Sequence, residues 1–179
     1  MRIGEAFGLE VRHFSTDCRT ITVEQSCWAG ALQTPKPKDA QRQIEVCSAL
    51  AGLLKTFTGD RRSGLVFANA NGKPLSQTNV LRRSLRPILE ELAVTKTGFH
   101  AMRRFRTTWL RKQRAPEDLV KFWLGHAKQS MTDGYFKLAE GTEFRAQVAD
   151  NVGAGFAVPS VMRPMTPRKS KKVELEVAA

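Results

Sequence analysis

The chain has little of several residue types on which common classes of protein depend. Its 179 residues include three histidines, three cysteines and a single tyrosine. The cysteines, Cys18, Cys27 and Cys47, are odd in number and form no CxxC pair. This pattern indicates neither a zinc site nor a disulfide framework. Free thiols are typical of a reducing cytosol, so the sequence predicts a cytoplasmic protein.

Long apolar runs are also absent from the sequence. The best short run, residues 49–54, is interrupted by Gly52, and no run approaches the length of a membrane span. Arg2 and Glu5 fall where a secretion signal would need apolar residues. We therefore expect no membrane partner.

The sequence also lacks the motifs of two common kinds of phosphate-binding or phosphate-cleaving site. Gly72-Lys73 is not a P-loop, because Phe67 stands where the upstream glycine is required. The acidic residues show no metal-cluster spacing, which argues against a two-metal nuclease. The sequence predicts no cofactor, no metal and no small-molecule substrate.

Positive charge is what the chain has in excess. It carries 29 basic and 17 acidic residues, a net charge of +12, with a pI near 10.2. The part from Asn151 onward holds five basic and two acidic residues, so most of the excess lies in the body. A basic surface of this size favours nucleic acid or an anionic membrane, although it can also serve solubility alone.

The periodicity predicts an α+β fold that is mostly α, a helical domain with a small three-stranded antiparallel sheet. Alternating β-branched residues predict strands at residues 18–24, 28–34 and 41–46, with a turn at 35–39 between the last two. Helices are predicted over residues 2–9, 48–57, 77–92, 99–114, 116–123, 130–138 and 140–152.

Several short motifs combine basic residues with histidine and tyrosine. They are Arg2-x-x-Glu5, Lys36 in the predicted hairpin, His100-x-x-Arg103, Leu124-Gly-His126, and Tyr135 nine residues after His126. Each alone has an ordinary reading: a surface arginine, a solvated turn lysine, a chance helical pair, a structural histidine or a packing tyrosine. His100 and Arg103, three apart on a predicted helix, share a face. Arginine, histidine and tyrosine together are suited to binding a phosphate and attacking it with a phenol oxygen.

In this order and at these distances, the motifs resemble the catalytic domain of the tyrosine recombinases, the phage integrase family. The resemblance covers residues 2–156, and its specific parts are the HxxR box and the nine-residue spacing from Leu-Gly-His to Tyr135. The segment Thr34-Pro-Lys36-Pro-Lys38 followed by Arg42 is similar to the family's lysine hairpin, with Lys38 as the alternative lysine.

The resemblance implies a role for each matched residue. Tyr135 attacks the scissile phosphodiester and becomes linked to its 3′-phosphate, and Lys36 protonates the leaving 5′-oxygen. His100 supports removal of the tyrosine proton, and His126 binds the phosphate by a hydrogen bond. Arg2 and Arg103 bind the non-bridging phosphate oxygens. The reaction implied is site-specific recombination of double-stranded DNA without metal or ATP.

The family pattern also sets expectations for the domain organisation. Residues 1–156 are expected to form the catalytic domain, lacking its first helices and the N-terminal DNA-clamping domain, because the sequence begins one residue before Arg2. Residues 157–179 are expected to form a basic, disordered tail. The resemblance implies a homo-oligomer, a tetramer on two DNA sites, in a bacterial or phage cytoplasm and associated with the nucleoid.

Three functions stay open on the sequence. The first is the site-specific recombinase or integrase. The second is a non-catalytic DNA-binding remnant of a truncated integrase gene, which would bind DNA in a salt-sensitive way. The third is an enzyme similar to the type IB topoisomerases, which shares the chemistry but relaxes supercoils without exchanging partner sites.

Overall fold

The computed structural model describes residues 1–34, 41–125 and 141–159. Most of the described elements are helices, with short strands grouped in the first third of the chain. The helices are α1 (Ile3–Phe7), α2 (Ser48–Thr58), α3 (Gln77–Val80), α4 (Arg86–Glu91), α5 (Phe99–Lys112), α6 (Glu117–Leu124) and α7 (Thr142–Val152). The strands are β1 (Thr20–Val23), β2 (Ser26–Trp28), β3 (Ala31–Gln33) and β4 (Arg42–Glu45). The mostly helical α+β class is confirmed.

The strand arrangement differs from the predicted three-stranded sheet. Among the described residues, β1 pairs antiparallel with β4, and β2 pairs antiparallel with β3, which gives two separate pairs. The predicted strand 28–34 in fact begins after a tight turn at Ala29-Gly30, where φ is +49° and +83°. Two successive positive φ values suit a two-residue hairpin. Ala-Gly is a weak turn signal in sequence, so the hairpin was missed.

The helix ends follow their sequence signals closely. Ser76 caps the helical run 77–91, its hydroxyl accepting from the Asn79 backbone N–H at 3.4 Å. A π-helical turn at Leu81–Leu85 joins α3 to α4 in this run. Gly59 ends α2, and Gly125 ends α6 in the left-handed conformation that glycine adopts most readily. The helices predicted over residues 48–57, 77–92 and 116–123 are confirmed.

Two apolar clusters form the core. One gathers β1, α2 and the segment around Val66, and includes Ile21, Val46 and Leu54. The other gathers α5, α6 and α7, and includes residues such as Leu119 and Val120 that are fully buried. β4 lies between the clusters, since Val46 just after it packs in the first cluster and Ile44 packs against the second.

Charged residues of β4 are buried at this boundary. Arg42 pairs with Glu5 of α1, at 2.8 Å between Nη2 and Oε2. Glu45 pairs with Arg145 of α7, at 2.7 Å between Oε1 and Nη2, and also accepts from Trp123 Nε1 at 2.8 Å. Buried ions need such partners, because an uncompensated charge in the interior is costly. β4 therefore joins α1 and α7 through ion pairs and α6 through the hydrogen bond of Trp123.

Over the residues described, no helix combines the length and apolar character needed to cross a membrane.

Candidate functional site

Helix α1 is packed directly against the backbone of β2. A Cβ added at Gly4 would lie 2.9 Å from the Cys27 carbonyl oxygen, and one added at Gly8 would lie 3.0 Å from the Ser26 Cα. Only glycine permits such close backbone approach. Phe7 meets Phe99 of α5 edge-on, with ring centroids 6.3 Å apart. The helix that begins after Arg2 is thereby fixed between a strand and the start of α5.

Arg2 precedes α1 and is bound by Glu5, one turn later. Glu5 Oε1 accepts from Arg2 Nη1 at 3.0 Å, and Glu5 Oε2 accepts from the Arg2 backbone N–H at 2.6 Å. The carboxylate thus satisfies a free N–H at the helix start and orients the guanidinium. The Arg2 side chain remains 54% exposed, so it is oriented yet open to solvent. The spacing Arg2-x-x-Glu5 noted in the sequence therefore corresponds to a direct contact between the two side chains.

Helix α5 carries His100 and Arg103 one turn apart. Arg103 is half-buried, and its Nη2 donates to the Leu124 carbonyl at 2.6 Å. His100 lies in the first turn of α5 and is exposed. The helical spacing predicted from the sequence therefore places both residues on a helix that contacts α6.

Three arginines from three elements bind three consecutive carbonyls at the end of α6. Arg42 Nε donates to Trp123 O at 3.1 Å, Arg103 Nη2 donates to Leu124 O, and Arg2 Nη2 lies 3.4 Å from Gly125 O. The last carbonyls of a helix have no partner within the helix and carry the negative end of its dipole. The positively charged side chains of Arg2, Arg42 and Arg103 therefore converge at the end of α6, at residues 123–125.

The arginines at this point affect one another electrostatically. Burial, and then the positive charge of Arg2, lower the pKa of Arg103 from its ordinary value. Burial acts to raise the pKa of Glu5, but hydrogen bonds from Arg42 and from the Arg2 backbone hold it below its ordinary value. Concentrated positive charge beside one anchored carboxylate favours a further anion at the exposed side of the cluster.

Other basic residues in and just after α5 differ in whether they are used within the protein. Arg106 donates to the Gly153 carbonyl at 2.6 Å, and burial lowers its pKa. Arg111 pairs with Glu117 at 2.6 Å. Arg106 is thus used within the protein, whereas Arg111, although paired, remains 58% exposed, and Arg104, Lys112 and Arg114 are exposed as well.

Half of the predicted catalytic residues lie outside the described part of the chain. Arg2, His100 and Arg103 are described, and the structure brings Arg2 and Arg103 to neighbouring carbonyls. Lys36, His126 and Tyr135 fall in residues 35–40 and 126–140, which are not described. Within 1–34, 41–125 and 141–159, no group of three His, Cys, Asp or Glu side chains is placed to bind a metal ion.

Sequence reasoning missed the buried residues beneath the arginines. Arg42 was noted only as a residue after the lysine hairpin, and Glu45, Trp123 and Arg145 received no role. A signal did exist for Arg42, because it starts a short strand that leads into the apolar residues of the core. Its partner Glu5 lies 37 residues away, so pairing could not be read from local spacing.

Solved structures with a similar fold are integrases. The Tn1549 transposon integrase in complex with a circular intermediate DNA superposes with a TM-score of 0.62 at 20% identity, covering 82% of this chain and 53% of that one. The same integrase with transposon right end DNA gives a TM-score of 0.57 at 23% identity, with coverage of 82% and 53%. The chain spans about half the length of these solved chains. At such identities the likeness establishes the fold.

Curated protein sequences contain no significant match to the chain. The model of the phage integrase family, however, matches residues 1–141, a stretch that includes every motif from Arg2 to Tyr135. The convergence of Arg2 and Arg103 on the end of α6, the fold and this match agree with one another. The chain belongs to the phage integrase family.

Proposed function

We propose that the chain is the catalytic part of a site-specific DNA recombinase that breaks and rejoins DNA through a phosphotyrosine. The observation that carries the proposal is the convergence of Arg2 and Arg103 at the end of α6, directly before the segment that contains His126 and Tyr135. Two guanidinium groups, one from the residue before α1 and exposed, the other from α5, form a receptor for a phosphate group.

The proposed reaction is an in-line displacement at phosphorus. The Tyr135 phenol oxygen attacks the scissile phosphodiester, the bond from phosphorus to the 5′-oxygen breaks, and a 3′-phosphotyrosine forms. The released 5′-hydroxyl takes its proton from Lys36. Attack by a 5′-hydroxyl on the phosphotyrosine then reverses the step and regenerates the phenol, so that the number of phosphoester bonds is unchanged and no ATP is consumed.

The arginines act on the charge of the transition state. Arg2 and Arg103 bind the non-bridging oxygens, where negative charge is concentrated as the phosphorus becomes five-coordinate. Preorganised donors are most effective there, and loss of one such donor costs roughly 3–4 kcal/mol. The pairing of Arg2 with Glu5 orients its guanidinium before DNA arrives, which reduces the reorganisation needed during the reaction.

The remaining residues are proposed to assist proton transfer and to bind the phosphate by a hydrogen bond. A free phenol has a pKa of about 10, so Tyr135 needs assistance at neutral pH. His100 is proposed to support removal of that proton, and His126 to donate a hydrogen bond to the phosphate. His100 lies one helical turn from Arg103 and is exposed, which leaves it accessible to DNA.

Double-stranded DNA is the proposed partner, and two duplexes joined by four copies of the chain form the proposed assembly. The net charge of +12 supports DNA binding through phosphate contacts. A cytoplasmic, nucleoid-associated location follows from that partner. Mass measurement of the protein with and without duplex DNA tests the tetramer.

The test is trapping of a covalent adduct. The full chain is incubated with a library of DNA duplexes that have randomised cores and a nick, so that cleavage releases a short oligonucleotide and prevents rejoining. Denaturing electrophoresis then detects protein linked to DNA. We expect an adduct from the wild-type chain and none from Tyr135→Phe. An equal yield from Tyr135→Phe would contradict the proposal.

The alternatives give different results in the same assay. A DNA-binding remnant gives salt-sensitive DNA binding but no adduct from either protein. A topoisomerase-like enzyme forms the adduct and also relaxes plasmid DNA that carries no selected site. Arg62→Ala, which removes one positive charge at an exposed arginine remote in sequence from the site motifs, controls for general loss of positive charge.

A further inference from the structure

Arg42 is a buried charged residue that the proposed reaction does not use. Its side chain is 2% exposed, and it donates from Nη1 to Glu5 Oε1 at 3.3 Å and from Nη2 to Glu5 Oε2 at 2.8 Å. A buried ion pair is weak evidence for stability, because desolvation offsets much of the attraction. The contacts of the shared carboxylate suggest a different role.

Glu5 links the buried arginine to the exposed one. Each of its carboxylate oxygens accepts from both Arg42 and Arg2: Oε1 from the two guanidinium groups, and Oε2 from Arg42 Nη2 and the Arg2 backbone N–H. The position of the carboxylate is therefore set from the protein interior. Arg2 is 54% exposed, and beside its longer contact of 3.4 Å with the Gly125 carbonyl its orientation depends on Glu5.

Gly125 confines the guanidinium of Arg42 from the other side. A Cβ at position 125 would lie 2.7 Å from Arg42 Cζ and Nη1 and 3.0 Å from Nε. The glycine is also left-handed, with φ of +64°. Arg42 Nε at the same time donates to the Trp123 carbonyl. The guanidinium thus lies against the α6 end and is fixed on three sides.

We propose that Arg42 is a positioning residue for the recombination reaction: acting through Glu5 and the end of α6, it fixes the direction in which Arg2 meets the scissile phosphate. The inference rests on the proposed function. Arg42 contacts no DNA in this scheme. Its effect is transmitted through the Glu5 carboxylate and through the end of α6, where Arg42 binds the Trp123 carbonyl. The effect would be lost on replacement by lysine, which lacks the planar fork that binds both oxygens of Glu5.

The first measurement concerns the order of Arg2 and needs no catalytic activity. In the full chain labelled with ¹⁵N-arginine, the Nε–H resonance of Arg2 is identified by its loss in Arg2→Lys. We expect a rigid heteronuclear NOE for Arg2 in the wild type. In Arg42→Lys the value should fall to that of exposed arginines. An Arg2 that stays as rigid in a folded Arg42→Lys protein would overturn the proposal.

Arg145→Lys is the matched control, because it alters the equally buried pair of Arg145 and Glu45. In that pair Glu45 lies on the same strand as Arg42. Arg2 should keep its order in this variant. Loss of order in both variants would assign the effect to general loosening and would also overturn the proposal. Should Arg42→Lys fail to fold, Arg42→Gln replaces it, since its amide cannot donate to both oxygens of Glu5 as the guanidinium does, while the direct contacts of Glu5 with Arg2 are left in place.

The second measurement separates the reaction rate from DNA affinity. With the library duplexes at saturating concentration, Arg42→Lys should form adduct on the order of 10²-fold more slowly, the effect typical of a misplaced catalytic group, with affinity for DNA within about twofold of wild type. An unchanged rate, or an equal loss of rate and affinity, would overturn the positioning role. If the wild type forms no adduct, the proposed function fails, and the NMR result alone decides whether Arg42 orients Arg2.

Discussion

Two buried arginine–glutamate pairs meet on β4, and they differ in what lies beyond them. The pair of Glu45 and Arg145 is closed: the side chains are 1% and 0% exposed, and Trp123 is the further donor. The pair of Arg42 and Glu5 continues outward to Arg2, which is 54% exposed. An arginine–glutamate pair thus stabilises the core in the case of Glu45 and Arg145, whereas the pair of Arg42 and Glu5 also links the core to an exposed arginine.

The largest expected effect comes from breaking the closed pair. Arg145→Met leaves the carboxylate of Glu45 buried without its cation, and we expect a loss of about 3–5 kcal/mol in the free energy of unfolding. Urea denaturation measures this loss from the shift in the midpoint of unfolding. Adding Glu45→Gln to the variant should recover part of the loss, because the uncompensated charge is then removed. No recovery would mean that packing of the Arg145 side chain on Phe122 is the main contribution.

A smaller loss is expected from the open pair. Glu5→Gln keeps one acceptor oxygen for Arg42, and the Trp123 carbonyl still accepts from that arginine, so about 1–3 kcal/mol should be lost. Urea denaturation of Glu5→Gln beside Arg145→Met compares the two pairs directly. A greater loss for Glu5→Gln would mean that the open pair carries more of the stability than the closed one.

The contact of Gly125 with Arg42 sharpens the comparison further. Gly125→Ala should cost about 1–2 kcal/mol for the left-handed backbone alone, and more because the new Cβ meets the guanidinium. In an Arg42→Met background only the backbone cost should remain. A double-mutant cycle of unfolding free energies measures the difference, and additive effects, within about 0.5 kcal/mol, would show that the contact is relieved without cost.

Acid should weaken a third charged link, between Asp150 of α7 and Arg19. Hydrogen bonds from Arg19 and Ser48 hold the pKa of Asp150 well below its ordinary value. A carboxylate whose folded pKa is depressed stabilises the fold above its unfolded pKa of about 3.9, and this stability is lost as pH falls through the folded pKa. Because the side chain is 40% exposed, the effect should be modest.

The measurement is the free energy of unfolding from pH 7 to pH 2 for wild type and Asp150→Asn. The variant should be less stable at pH 7 and should lose less on acidification. Parallel curves would mean that other carboxylates, Glu5 among them, account for the acid sensitivity.

The smallest effect is expected away from β4, at the hairpin between β2 and β3. Ala29 has a positive φ, which costs an L-residue about 1–2 kcal/mol, whereas glycine adopts it freely at some cost in unfolded-state entropy. Ala29→Gly should therefore raise the free energy of unfolding by about 0.5 kcal/mol without altering the order of Arg2. A loss of stability would indicate that the turn is relaxed in solution.

Signals from neighbouring residues were sufficient to predict those parts of the fold that depend on short stretches of sequence. Ser76, Gly59 and Gly125 mark helix ends that the structure reproduces, and the spacing of Arg2 and Glu5 gave their pairing. The π-helical turn at Leu81–Leu85 and the hairpin at Ala29-Gly30 carry no strong sequence signal. The basic residues of α5 looked alike in sequence, yet Arg106 turned inward to a carbonyl of α7 that only tertiary packing brings near.

The buried pairs could not be predicted, because their partners come from distant parts of the chain. Burial along β4 does not alternate, since Arg42 and Glu45 at its two ends are both buried, and an arginine in a sequence is ordinarily read as exposed. Glu5 and Arg42 are joined only when α1 and β4 meet, and Glu45 and Arg145 only when α7 packs. The catalytic roles of all six residues stay predictions: Arg2, Lys36, His100, Arg103, His126 and Tyr135.

The three arginines at the end of α6 are separated from the carbonyls that they bind by 123, 81 and 21 residues along the chain. Each contact closes a loop of different length, and the longest joins the first described helix to the end of α6. Loop closure across such distances is slow and is completed only as the whole domain forms. A partly folded chain would therefore carry its positive charge before the three arginines are gathered at the end of α6, and the site proposed to bind phosphate would be complete only when the last of these contacts has formed.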